Sequence, residues 1–108
     1  MSWSVELLDA RVAAEIDGLP KDIQAKILRT FDLIETAGLN DLGRNLVKNV
    51  RGKIWEFRFT GKDGIARILY VTASGRRVVA LHAFVKKTQK TPKSAIDIAE
   101  ARAKELKS

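Results

Sequence analysis

The chain has 108 residues and a mass of 12.0 kDa, enough for one domain with a single core, and its 45% hydrophobic content sets it apart from a disordered tail. It has no cysteine and a single histidine, which excludes disulfides, thiol catalysis and Cys-type zinc sites and argues against a His-based metal cluster, so no metal or other cofactor is expected. The net charge of +7 is unevenly held: residues 41–94 carry thirteen basic and three acidic side chains, whereas residues 1–40 carry four basic and seven acidic ones. Such polarity fits a polyanion or an acidic protein partner on one face, or a solvated basic surface kept for solubility.

The opening "SWSVELL" alternates Trp3, Val5 and Leu7 with Ser2, Ser4 and Glu6, a period of two that predicts a strand. Asp9 then caps a short helix carrying Val12 and Ile16 that ends at Gly18, and Pro20 fits the first turn of a longer helix with Ile23, Ile27, Phe31 and Ile34 as its apolar stripe. No secretory signal pattern opens the chain and no apolar run approaches the ~18 to 20 residues of a membrane helix, so a cytoplasmic protein is expected.

After the polar connection "GLNDLGRNLVKNVRG" come three strand-like runs, "KIWEFRFT", "IARILYVT" and "RVVALHAFV", joined by "GKDG" and "ASG". Thr91 and Pro92 begin a last helix with Ile96, Ala99, Ala103 and Leu106 on one face. The prediction is one α+β domain over residues 1–108, ordered β-α-α-β-β-β-α, with an antiparallel sheet and the helices packed on one face.

The other face of that sheet is where chemistry is expected. In "KIWEFRF" the aromatics Trp55, Phe57 and Phe59 belong under the helices, so Glu56 and Arg58 point outward. Pairing through the two short turns sets Arg58 opposite Arg67 and Arg67 opposite His82, a row of like charges that an anion would relieve. Beyond it, "LHAFVKKTQKTP" delivers Lys86, Lys87 and Lys90 in quick succession. Each alone has a plainer reading: Arg58 paired with Glu56, His82 packed and hydrogen-bonded, the lysines solvated.

"WEFRF", "GIARILYV", "LHAFVKKTQKTP" and "IDIAEARAKEL" together resemble the HigB-like, phage-derived branch of the RelE/ParE toxin superfamily, loosely in the N-terminal helices and specifically from about Lys53 to Arg102. The resemblance implies a compact RelE-like fold, metal-free cleavage of translated mRNA on the ribosome, and a small antitoxin, a helix-turn-helix protein, encoded by the adjacent gene. By position it matches Arg58, Arg67 and the lysines from Lys86 to the basic residues around the scissile phosphate. Some relatives carry a tyrosine or second histidine near the C-terminal end. Here the only tyrosine is Tyr70, on the helix-facing side.

In that chemistry Arg58 and Arg67 suit phosphorane oxygens, His82 is the conventional base, and Lys86, Lys87 and Lys90 depress one another's pKa toward acid or base work. Lys48, Arg51, Lys53, Arg76 and Arg77 are assigned to holding RNA. The competing readings are a non-catalytic basic RNA-binding module and a ParE-like toxin that poisons DNA gyrase.

Overall fold

The computed structural model describes residues 2–39, 42, 46–62, 64–86 and 90–106. Its elements are β1 (Ser4–Leu7), α1 (Ala10–Asp17), α2 (Lys21–Ala37), β2 (Val47–Arg51), β3 (Ile54–Gly61), β4 (Gly64–Ala73), β5 (Arg77–Lys86) and α3 (Lys93–Ala103). The strands form one sheet in the order β1-β5-β4-β3-β2. Among the described residues no helix is long and apolar enough to cross a membrane.

The helix ends follow the sequence closely. The Asp9 carboxylate accepts from the Arg11 backbone N–H at 2.9 Å and starts α1. Pro20 stands just ahead of α2 as its cap, and Gly38, at φ +96, ends it in a conformation that a side chain would resist. Ile23, Ile27 and Ile34 are fully buried, with Phe31 against the same core.

The α+β class holds, but the layers differ from the prediction. Helices α1 and α2 cover one face over Phe57, Phe59, Ile68, Tyr70 and Ala83, where Phe57 stacks on Tyr70 with ring centroids 4.0 Å apart. Helix α3 covers the other face, seating Ala95, Ile96 and Ala99 on Ile54, Leu69, Val71, Val79 and Leu81. "RILYV" and "VVAL" are apolar at both odd and even positions, the mark of strands buried on both faces, so a single helical layer leaves half of that surface uncovered.

A fifth strand, β2, arises within the stretch read as a polar connection. It pairs antiparallel with β3, and a register shift between Asn49 and Arg51 breaks the alternation that would betray it. The Asn49 side-chain amide ties the hairpin by donating to the Gly52 and Ile54 carbonyls at 3.0 and 3.2 Å. Strands β3 to β5 form the expected antiparallel meander, which β2 extends at one edge, but β1 lies parallel to β5. The two-helix crossover carries the chain from one sheet edge to the other, which leaves β1 beside the last strand.

The β3–β4 register sets Arg58 opposite Arg67 as predicted. The β4–β5 register does not follow: it shifts by one residue between Leu69 and Tyr70, so Leu81 is left over, His82 faces Leu69, and Arg67 faces Phe84. The turn geometry alone cannot reveal such a bulge.

Candidate active site

Strand β3 places Glu56 and Arg58 on the α3 face. Strand β4 adds Arg67 opposite Arg58, β2 adds Lys48 opposite Glu56, and β5 ends there with Lys86. The apolar half of this face lies under α3; the charged half lies under the segment leading into it. Thr91, read from sequence as a cap, donates its hydroxyl instead to Glu56 Oε1 at 2.5 Å, and Pro92 precedes α3 without a side-chain cap.

This cover makes the face far less open than predicted. Glu56 is 1% exposed, Arg67 2% and Lys86 5%, while Arg58 keeps 35% of its side chain accessible and Lys48 and Lys90 are exposed. Glu56 Oε2 lies 3.5 Å from Arg67 Nε and 3.8 Å from Arg58 Nε, with Arg67 Nη1 donating to the Ala66 carbonyl at 3.2 Å. Among the described residues, five cations (Lys48, Arg58, Arg67, Lys86 and Lys90) thus gather around one carboxylate. A cavity of about 200 Å³ opens there, walled by Lys48, Glu56, Arg58, Lys90 and Thr91.

Two layers of charge follow from the burial. Burial lowers the pKa of Arg67, and Arg58 adds to that while Glu56 opposes it. Burial likewise holds the Lys86 ammonium below the usual lysine range, with Arg67 pushing the same way and Glu56 against it. These two supply a fixed positive field from beneath. Arg58, Lys48 and Lys90 present donors to whatever occupies the cavity, an arrangement suited to a phosphate diester.

The other sequence-derived candidates stand elsewhere. His82 lies two strands from Glu56 in one cross-sheet row, roughly 10 Å away at the usual strand spacing. Its Nδ1 is 3.1 Å from Glu15 Oε2 without the alignment of a hydrogen bond, and its ring stacks on Phe84. Glu15 also accepts from Arg102 Nη1 and from the Ala83 backbone N–H, both at 3.1 Å, and so seals the β5 edge between α1 and α3.

Arg51 is engaged by Asp97 and Glu100, which clamps β2 to α3, and Arg77 pairs with Glu6 at 2.6 Å, which fastens β1 to β5. Lys53 and Arg76 occupy the β2–β3 and β4–β5 turns. Tyr70 is buried on the α2 face, its phenol pushed up to about 12 by burial. Lys87 lies outside the described residues. Sequence reasoning placed Glu56 on this face without counting it among the site residues and did not bring Thr91 to it; the absence of alternation in β4 and β5 was the available sign that a charge on this face would be enclosed.

The fold has solved counterparts. The chain superposes on a doubly substituted Escherichia coli toxin RelE in the free state with a TM-score of 0.63 at 11% identity, over 98% of this chain and 99% of that one. A chain of the archaeal RelE-RelB complex from Pyrococcus horikoshii OT3 gives 0.57 at 18% identity, over 79% and 96% respectively. Sequence narrows this further. The family described as Phage derived protein Gp49-like (DUF891) matches residues 14–104. The probable endoribonuclease HigB1 of Mycobacterium tuberculosis is 36% identical over 90 residues, 83% of this chain and 69% of that one. The chain belongs to the Gp49-like, phage-derived family and is HigB1-like in sequence, and its fold is RelE-like.

Proposed function

We propose that this protein is the toxin of a type II toxin–antitoxin system, a cytoplasmic endoribonuclease that cuts translated mRNA on the ribosome without a metal. The observation that carries it is the small open cavity where five cations surround a single buried carboxylate. The likeness to a probable endoribonuclease supports the same reading.

In the reaction, the ribose 2′-oxygen bonds to phosphorus as its proton leaves. The 5′-oxygen departs with the bonding pair and gains a proton, giving a 2′,3′-cyclic phosphate and a 5′-hydroxyl. Negative charge grows on the phosphorane oxygens, where Arg58 donates directly and Arg67 acts through its field; one such stabiliser is worth ~10²- to 10³-fold in rate. Proton transfer is assigned to Lys87 and Lys90, because Lys86 is buried beneath the cavity and His82 stands beside Glu15, two strands from Glu56. The antitoxin, the small helix-turn-helix product of the adjacent gene, neutralises the basic cavity.

The test is induction in a bacterium followed by sequencing of RNA 5′ ends. Cuts should fall in phase with codons and vanish when translation is blocked. Growth arrest with intact messages and double-strand DNA breaks would overturn the proposal in favour of gyrase poisoning.

A further inference from the structure

The outer edge of β3 separates two recesses. On one side is the candidate cleavage cavity; on the other, a groove of about 410 Å³ runs between α2 and β3. Arg58 lines both and so stands at their common boundary. Among the described residues β2 pairs with β3 only as far as Phe57: Arg58 N–H donates to the Leu46 carbonyl at 2.7 Å, and β3 then runs on past the start of β2.

Helix α2 supplies Lys26, Arg29 and Leu33 to this groove, at spacings of three and four residues that put them on one helix face. Leu33 is 44% exposed and makes an apolar strip with Leu46. The described lining holds three cations and no carboxylate. Lys26 is already used, its Nζ donating to the Thr60 carbonyl, whereas among the described residues no ion pair engages the exposed Arg29.

Single-stranded nucleic acid is held by a cationic groove that follows the backbone, with side chains beside it against which the bases pack, aromatic ones most strongly. We propose that the message strand crosses β3 at Arg58 and continues through this groove, with a phosphate near the scissile one against Arg29 and a base over Leu33 and Leu46. Charge complementarity and the shared Arg58 wall with the cleavage cavity both favour RNA here. The inference rests on the endoribonuclease reading, and it adds a binding subsite from the acidic N-terminal part of the chain.

The test uses the full chain and ribosomes programmed with a message whose attacking nucleotide is 2′-deoxy, so that binding is measured without cleavage. Neutralising one single-strand phosphate contributes about 0.7 to the slope of log affinity against log salt. Arg29→Ala should therefore lower that slope by about 0.7, and Lys21→Ala, on the same helix outside the groove, should not remove any coupling to a particular phosphate. Messages carrying one methylphosphonate at a time then locate the contact: the position that weakens wild-type binding should leave Arg29→Ala unaffected.

An unchanged slope overturns the proposal. So does a reduced slope with no coupled message phosphate, which assigns the groove to ribosomal RNA, and so does a defect confined to antitoxin binding. Wild-type cleavage of a normal message without the Arg29 coupling sinks this inference alone. Coupling without any cleavage sinks the nuclease reading and leaves the groove standing.

Discussion

Replacing Glu56 by glutamine removes the one negative charge set among Arg58, Arg67 and Lys86 while preserving an oxygen to accept from the Thr91 hydroxyl. Two of those cations are buried with it, so the variant strands positive charge away from water. Breaking a buried ion pair from one side costs about 3–5 kcal/mol. The retained Thr91 bond places Glu56→Gln near the lower end, about 3 kcal/mol, which at ~4 °C per kcal/mol for a domain of this size lowers Tm by roughly 12 °C. Urea and thermal unfolding of the purified protein read this directly. Adding Arg67→Met should recover much of the loss, because removing both partners of a buried pair is close to neutral. A single variant costing under ~1 kcal/mol, or a double variant no better than the single, would refute the reasoning that Glu56 compensates its neighbours.

Arg58→Ala should behave oppositely: stability within ~1 kcal/mol of wild type, because the side chain is a third exposed, but single-turnover cleavage at saturating toxin slower by ~10²- to 10³-fold. Wild-type rate at saturation would make Arg58 a binding contact only. Gly61→Ala brings a Cβ within 2.6 Å of Ile23 Cγ1 and 2.7 Å of Asp22 Oδ2, and should cost about 1–3 kcal/mol by urea midpoint; an unchanged midpoint shows that α2 yields there. Carboxyls held below their ordinary values, Glu6 by Arg77, Asp9 by Arg11, Asp22 by the Lys62 N–H and Asp97 by Lys93, bind fewer protons folded than unfolded. Their stabilisation is therefore complete above the ordinary carboxylate range and lost as pH falls through the folded values, so the urea midpoint should drop from about pH 5 downward. Lys86 has the opposite sign: its lowered pKa costs stability while it is protonated, so stability should rise as pH climbs toward the ordinary lysine value, and Lys86→Met should abolish that rise.

Local signals were legible in the sequence: the Asp9 cap, the Ile23–Ile34 stripe, Gly38, and the Arg58–Arg67 pairing across a short turn all depend on residues close in the chain. What escaped depends on contacts between distant segments. The side chosen by α3 follows from apolar residues at both parities of β4 and β5, and that choice converts an open charged row into an enclosed cluster. His82 was read as a site residue because its register was counted from a turn without the extra residue at Leu81. Arg29 was passed over because summed charge made its segment look acidic, although the groove sees only the one helix face that carries it.

That extra residue reaches further than the position of one histidine. Ahead of it, β5 shows Val79 and Leu81 to α3; beyond it, Ala83 sits in the α1–α2 core, and Phe84 and Lys86, in step with Arg67 and Ile65, take the α3 side. Strand side chains alternate, so the bulge acts as a change of phase: without it, Ala83 and Val85 would turn toward α3 and Lys86 would be driven under α1 and α2. Drawing Leu81 into the regular ladder, so that the bulge is lost while the residue stays, is thus comparable to a reading-frame error within a folded strand, in which every later side chain is delivered to the wrong side. The charge of the strand's lysine end is written in its own residue, but its address is set by the bulge at Leu81.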